Sequence, residues 1–588
     1  MIENEKTRKL GDWVPELGFI IFLIAYLATL AVGISWGLPS ADRTLLLSFE
    51  RSVGPEELDV MNANRAECNA HHNFDSAIYG GINRGSAGRN LLPDFPKKCI
   101  DNSELSFRRF LFFGTAQDES RVFHSLSRMK PEKFDFHPKR FENGTAYLYP
   151  IGGLLFIAEQ IGYVNLTSDI SSALEHPENM RRVYLIGRAV SSAAVLGTLI
   201  LLFLIGRRFY STNVGLVAAI AYGSFGAVYA LGLQTRIHVV AAFWITLTVY
   251  WLLAYARTYR TRDILYASIA CGIAIGTAIH AALSMSAILL VIASNPHDLS
   301  RKLRSICLSG LVVLATFVVT NPYVVLDAQG FWYWWTAFLM PVEAGGHGYS
   351  PHSLAIVMNG FKSVLGNSVA AAQVPFFGML IAGLFYALFG ADRACQNLAI
   401  CVIVSVVVAS TIGKGVGRMV MFLVPIMCIQ IAILMNRILE EIGRKRFAKW
   451  ALVFLIFCPS YFAIAHKTVG LYEHEVKKTW LTKSVNCLKL LDISREQSIG
   501  LFDYPRPNTF PPFPFLGSKL VFPPNIKVDY PDFVVVRDVA KDVGRWDMNP
   551  ARQSYDFVCG IVGAFSPVSG YEEQTASIYR KKADSKID

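Results

Sequence analysis

Apolar stretches long enough to cross a bilayer, roughly 20 residues each, recur along this chain. They begin near Leu17, Val183, Val214, Val239, Ile306, Ala371, Leu398, Met419 and Ala448. A longer run, Leu265 to Ser294, is bracketed by Arg257, Arg260 and Arg262 before it and by Arg301, Lys302 and Arg304 after it. Basic residues collect on the cytoplasmic side of a membrane, so both ends of this run belong there and it is expected to fold back as a hairpin of two short helices. The pattern predicts about eleven spans. The fold class expected is an all-α polytopic membrane protein with a large first outer loop and a small C-terminal α/β domain.

Orientation follows from the same bias. Lys6, Arg8 and Lys9, then Arg207 and Arg208, the two clusters above, and the stretch Arg437 to Lys449 fall in alternate loops. All become cytoplasmic when the N-terminus is inside. The opposite side then receives 39–182, 326–368 and everything after His466, dividing the chain into a membrane module, 1–466, and a soluble extracytoplasmic domain, 467–588. The run Leu17 to Leu38 is longer than a signal-peptide core and shows no cleavage site, so it reads as a retained anchor in the cytoplasmic (inner) membrane. Within the first loop, Ser40 to Leu105 is polar and irregular. Residues 147–163 predict a helix lying on the membrane, with Leu148, Ile151, Leu155, Ile157 and Ile161 at headgroup depth. Phe331 to Trp335 forms an interfacial aromatic cluster. The tail predicts strands at 498–502, 533–536 and 576–579 and a helix near 479–491.

Composition adds little that the pattern does not already imply. The chain has 588 residues, 53% of them hydrophobic and only 17% charged, as in an integral membrane protein. Its net charge of +11 is accounted for by the cytoplasmic loops, which removes the case for a nucleic-acid partner. Six of the ten cysteines (Cys271, Cys307, Cys395, Cys401, Cys428, Cys458) lie in or near spans, where a thiol behaves as a small apolar group. Cys68, Cys99, Cys487 and Cys559 fall on the outer side, where an oxidising compartment favours disulfides. Four cysteines allow three connectivities, of which Cys68–Cys99 with Cys487–Cys559 is the simplest.

Candidate chemistry concentrates on the outer side. Asp118 and Glu119 are adjacent carboxylates in the loop after the first span, and acids beside a bilayer are costly enough to suggest a task. Such a carboxylate suits a general base that takes the proton of an attacking hydroxyl; a solvated acidic pair is the plainer reading. Arg188, Arg236, His280, Lys414 and Arg418 all map to the outer membrane edge, where cations can stabilise a departing phosphate or reach out to lipid headgroups. Asn321-Pro322-Tyr323, Asp327 and the glycine-rich loop around His347 suit a gate over a substrate, or a helix stop and a linker. Gly81 to Gly88 lacks the Lys-Ser/Thr of a phosphate loop, and His71-His72 lacks zinc-ligand spacing. No metal is demanded, and a divalent ion is compatible with the pattern. A transporter or lipid flippase is the alternative, although charges at mid-membrane and a half-repeat are not evident.

These motifs taken in order resemble the GT-C superfamily of membrane glycosyltransferases that use polyprenyl-phosphate sugars. The chain is most similar to glycosyltransferase family 39, akin to protein O-mannosyltransferases and lipid A aminoarabinose transferases. The resemblance is carried by Asp118-Glu119, by His137-Pro138 through Phe141 to Tyr147-Leu148-Tyr149, and by Gly187-Arg188. It continues through Gly276 to His280, Asn321-Pro322-Tyr323 with Gly346-His347-Gly348, and Arg418 leading to Pro425. It implies a sugar moving from a polyprenyl-phosphate donor to a lipid, glycan or protein acceptor, with inversion at the anomeric carbon. Asp118 would be the catalytic carboxylate and Glu119 its support. Arg188, His280, Lys414 and Arg418 would hold the phosphate, with His137, Tyr149 and His347 as further substrate contacts. His280 stands where many relatives carry Lys.

Overall fold

The computed structural model describes residues 14–39, 56 and 58–63, 112, 114, 118–339 except 168, 374–410, 421–442 and 446–476. In the tail it describes 497–502, 519–521, 532–537, 553–562 and 575–582. The Ser40–Leu105 insertion (apart from a few of its residues), the helix expected at 479–491, and His347, Lys414, Arg418, Cys68, Cys99 and Cys487 lie outside the described residues.

The helices are α1 (Val14–Gly33), α2 (Glu119–Leu126), α3 (Thr145–Gln160), α4 (Pro177–Phe209), α5 (Thr212–Gly223), α6 (Gly226–Gly232), α7 (Ile237–Thr258) and α8 (Thr261–Thr277). There follow α9 (Met285–Ala293), α10 (Leu299–Thr320), α11 (Ala328–Leu339), α12 (Val374–Phe389), α13 (Arg393–Ser410), α14 (Val424–Glu441) and α15 (Arg446–Val476). Among the described residues six helical stretches are long and apolar enough to cross a membrane: α1, α4, α7, α10, Met421–Glu441 and Ala451–Leu471. A seventh forms if α5 and α6, bent by 68° at their junction, count as one broken span. This is fewer than the eleven expected, because several apolar runs fold as shorter helices, including Phe376–Phe389 and Arg393–Val408. The chain is a multi-pass, mostly helical membrane protein with a small sheet in its tail.

The Leu265–Ser294 run does double back. α8 stops at Thr277, a 3-10 turn spans Ile279–Ser284, and α9 starts at Met285. Cys271 Sγ lies 3.5 Å from Ser284 Oγ, whereas a continuous helix would hold these residues about 20 Å apart. Asn295 beyond α9 donates to the Tyr255 hydroxyl at 3.1 Å, which returns the chain to the α7–α8 entry.

α3 forms where the surface helix was expected, but its apolar residues divide between two faces. Tyr147, Leu148, Ile151 and Leu155 are buried in the bundle core, while Phe156, Ile157 and Ile161 are exposed. The helix is apolar around most of its circumference, so one side packs on protein and the other is left facing outward. Its start is fixed by backbone proximity: the Gly144 N–H donates to the Thr277 carbonyl at 3.2 Å, and a Cβ on Gly144 would lie 1.8 Å from the Gly276 carbonyl oxygen.

α15 continues to Val476, past the boundary expected at His466. The tail sheet has the order β2-β1-β3-β5-β4, with β1 Ser498–Phe502, β2 Lys519–Val521, β3 Phe533–Arg537, β4 Tyr555–Val562 and β5 Thr575–Lys581. β1 pairs in parallel with β2 and β3, and β5 pairs antiparallel with β3 and β4. Val534, Val536, Tyr555 and Tyr579 form its core. Cys559 on β4 is disulfide-bonded, its partner lying outside the described residues, and the six membrane-region cysteines are free.

Replacing Gly144 with alanine is expected to destabilise the protein by about 1–3 kcal/mol, since the added methyl has no place to go without backbone movement. Thermal unfolding of detergent-purified protein followed by intrinsic fluorescence would read this as a lower midpoint than wild type.

Candidate active site

One buried ion pair organises the end of the bundle where α1 ends and α2 begins. Glu119 opens α2 and Arg188 lies on α4; both side chains are 0% exposed. Arg188 Nε donates to Glu119 Oε1 at 2.8 Å and Nη2 donates to Oε2 at 2.7 Å. Arg188 Nη1 donates to the carbonyl oxygens of Ile34 and Trp36 at 2.8 and 2.7 Å, just after α1. The Trp36 ring lies 5.1 Å from the guanidinium carbon. Glu119 Oε1 also accepts the Thr235 N–H at 2.7 Å. A pair removed from water persists only when its remaining donors and acceptors are satisfied, and here the protein backbone satisfies them.

Asp118, one residue earlier, is in a different situation. Its side chain is 29% exposed and ion-pairs through Oδ2 with Arg236 Nη1, while Arg121 Nε stands 3.7 Å from Oδ1. Arg236 is aimed by its neighbours: its Nε donates to Gln234 Oε1 at 3.0 Å, and its backbone N–H donates to Ser191 Oγ at 3.1 Å. Tyr147 of α3 lies 3.4 Å from the same Ser191 hydroxyl. Two consecutive carboxylates therefore do different jobs, Glu119 closed into the scaffold and Asp118 presented at the surface between two guanidiniums.

A chain of charges leads from Asp118 to a cleft. Arg121 Nη1 donates to Glu142 Oε2 at 3.2 Å, and Arg140 Nη2 lies 3.0 Å from Glu142 Oε1. Glu142 sits on the rim of a small open cleft whose walls include Phe141, Asn321, Tyr323, Phe331 and Trp335. Aromatic faces with a few placed polar groups suit a ligand that is part ring and part hydroxyl.

His137 joins the two outer loops beside this cleft. Its Nδ1 accepts the Lys139 N–H at 2.8 Å, which leaves the ring proton on Nε2, 2.9 Å from Asp327 Oδ2. The ring packs against Tyr323 with centroids 4.4 Å apart, and the Tyr323 hydroxyl accepts the Phe136 N–H at 3.2 Å. The Tyr149 hydroxyl donates to the Phe136 carbonyl at 3.2 Å. Burial pulls the His137 pKa below its ordinary value, and the hydrogen bond to Asp327 only partly restores it.

The structure thus brings Asp118, Glu119, Arg188 and Arg236 together, and joins His137 to Asp327 and Tyr323 and Tyr149 to Phe136. Arg188 does not stand open to a phosphate as the resemblance implied: its nitrogens are committed to Glu119 and two carbonyls, and no part of it is exposed. His280 lies at the tip of the α8–α9 hairpin with its ring centroid 5.4 Å from that of His238, and its Nε2 is buried without a hydrogen-bond partner. Sequence reasoning missed Glu142, Arg140, Ser191 and Thr235. Arg121 carried a readable signal, lying three residues after Asp118 and so one helical turn away; the others are brought in by tertiary contacts alone. Among the described residues no group of three His, Cys, Asp or Glu side chains is arranged to hold a metal ion.

Residues 182–325 match the sequence model of the family described as dolichyl-phosphate-mannose-protein mannosyltransferase. That stretch holds Arg188, Ser191, Arg236 and His280, and the match supports the resemblance to GT-C membrane glycosyltransferases. No curated protein sequence matches the chain. Solved structures to which the chain is similar include ArnT from Cupriavidus metallidurans bound to undecaprenyl phosphate, at 11% identity, covering 78% of this chain and 93% of that one, with a TM-score of 0.43. The oligosaccharyltransferase of Archaeoglobus fulgidus in its apo form is 12% identical, covering 71% of this chain and 63% of its own, with a TM-score of 0.38.

Two outcomes are expected from this geometry. Glu119→Gln leaves Arg188 buried without its counter-charge, a loss of about 3–5 kcal/mol, to be seen as a lowered unfolding midpoint and poor recovery on size exclusion. The second concerns pH. Because the native His137 pKa is depressed, the unfolded chain binds a proton first as pH falls below about 6.5, so the contribution of this latch is complete above that value and shrinks below it. Unfolding midpoints measured from about pH 7.5 down to about pH 5 should fall less steeply for His137→Gln than for wild type.

Proposed function

We propose that this chain is a glycosyltransferase that moves a sugar from a polyprenyl-phosphate carrier to a hydroxyl of a lipid, glycan or protein acceptor at the outer face of the cytoplasmic membrane. The observation that carries the reading is Asp118, held part-exposed between Arg236 and Arg121 directly above the buried Glu119–Arg188 pair. The family match over 182–325 supports it. In this reading the acceptor oxygen attacks the anomeric carbon as the bond from that carbon to the phosphate oxygen breaks. The acceptor proton passes to the Asp118 carboxylate, and the phosphate leaves with the bonding electrons. Attack from the side opposite the phosphate inverts the anomeric carbon.

Arg236 replaces Arg188 as the nearest cation for the developing phosphate charge, with His280, Lys414 and Arg418 as further contributors from the hairpin tip and from the segment before α14. Glu119 and Arg188 act by fixing where α2 begins, and so where Asp118 points. The aromatic cleft beside Glu142, with His137 and Tyr149 supporting the loops around it, takes the sugar or the acceptor, and His347 is a further substrate contact. Fixed cations supply the field that a divalent ion supplies in other transferases, so no cofactor enters this scheme.

Incubating the purified protein with a panel of radiolabelled polyprenyl-phosphate sugars and membrane extract tests the reading. Asp118→Asn should lower transfer by at least about 100-fold while leaving the unfolding midpoint close to wild type. Full transfer by Asp118→Asn removes this residue from the chemistry, and no turnover of any lipid-linked sugar by wild type overturns the proposal.

A further inference from the structure

Beyond the site around Asp118, the outer surface contains cations without partners. Arg128 follows the end of α2, and its Nη2 is buried with no hydrogen-bond partner. Arg140 uses Nη2 on Glu142, but its Nε is likewise buried and unbonded. The two guanidiniums are close enough to repel. Burial first, and Arg140 second, pull the Arg128 pKa from 12.5 down to about 10, so it still carries its charge at neutral pH. Arg121, Arg140 and Arg236 pair with Asp118 and Glu142, and Arg128 stands near Arg140: four guanidiniums against two carboxylates, with Asp118 already serving two of them. Lys130 and Lys133 nearby add positive charge, and Asp135 is turned to Lys139 and to the His137 N–H.

A buried guanidinium with unused N–H groups is unstable in isolation, and the planar fork of arginine is matched to oxyanions. We infer that Arg128 and Arg140 form an oxyanion-binding site for a phosphate monoester, separate from the phosphate that departs in the reaction. Separation follows from the helix between them. The leaving phosphate must lie within a few ångströms of the hydroxyl that Asp118 contacts, whereas Arg128 lies beyond the far end of α2 (Glu119–Leu126), about 12 Å of helical rise away. Glu142, bonded on one side to Arg121 and on the other to Arg140, stands between the two positions. A molecule held here by its phosphate would extend along the aromatic cleft toward Asp118, as suits an acceptor that carries a phosphate some distance from its reacting hydroxyl. That last step rests on the function proposed above; the anion site itself does not.

Binding is read without turnover, so the two proposals fail separately. The unfolding midpoint of the full-length protein in detergent would be followed against inorganic phosphate, with chloride at matched ionic strength as the blank. A ligand that binds only the folded state raises the midpoint. Phosphate should raise it for wild type and for Asp118→Asn more than chloride does, and the rise should be lost in Arg128→Gln and in Arg140→Gln. Without phosphate, Arg128→Gln should be no less stable than wild type, because it removes a repulsive charge and no bond; a purely structural arginine would give the reverse. Two further arms, a short-chain phosphatidic acid in mixed micelles and mannose 6-phosphate, distinguish a lipid headgroup from a soluble sugar phosphate by which gives the larger shift at equal concentration. A phosphate shift no larger than that of chloride, or one retained in Arg128→Gln, overturns the inference.

Discussion

The pair of Glu119 and Arg188 is the contact on which this end of the bundle depends. A carboxylate and a guanidinium with no exposed surface are tolerated only where geometry satisfies both. That requirement pulls four pieces of chain to one point: the turn after α1, the start of α2, the middle of α4 and the Gln234–Arg236 segment before α7. Once these are joined, the position of Asp118 is settled, because it is the residue next to a carboxylate that cannot move. The reactive geometry proposed here is thus a by-product of a scaffold constraint.

Much of this was legible from residue patterns, and the remainder was not for definite reasons. The hairpin over Leu265–Ser294 followed from basic residues at both of its ends, and the strands at 498–502, 533–536 and 576–579 followed from their β-branched and apolar runs. The adjacent acids were visible as a pair, but their division of labour was not. That depends on Arg188 reaching inward to Glu119 across 69 residues of sequence, which no local pattern encodes. Arg188 consequently read as a phosphate ligand, whereas its guanidinium nitrogens bond to Glu119 and to the carbonyls of Ile34 and Trp36. Hydropathy measures apolar length and not whether a helix stays unbroken: the run from Val214 holds a 68° bend between α5 and α6. In α3 the sequence marked a helix but not which side would be covered, since both sides are apolar.

Electrostatics separates the outer surface into regions of different character. Around Glu119 charge is neutralised within the protein and sealed from water. Around Asp118 it is balanced but accessible. Beyond Glu142 it is unbalanced, with guanidinium nitrogens left over. Such a gradient, from closed to open to unsatisfied, has the shape of a surface that meets a charged molecule from outside and delivers it toward the bundle.

The cleft beside Glu142 has two walls made in different ways. On one side Gly144 and Thr145 are hydrogen-bonded to the Thr277 carbonyl, to the Thr320 carbonyl and to the Asn321 side chain, which rivets the loop to the ends of α8 and α10. On the other side α11 meets that loop through rings, Phe141 against Phe331 at 5.4 Å. Ring contacts tolerate sliding where directional bonds do not. A bulky guest would therefore be accommodated more readily along the Phe141–Phe331 contact than along the riveted Gly144–Thr145 wall.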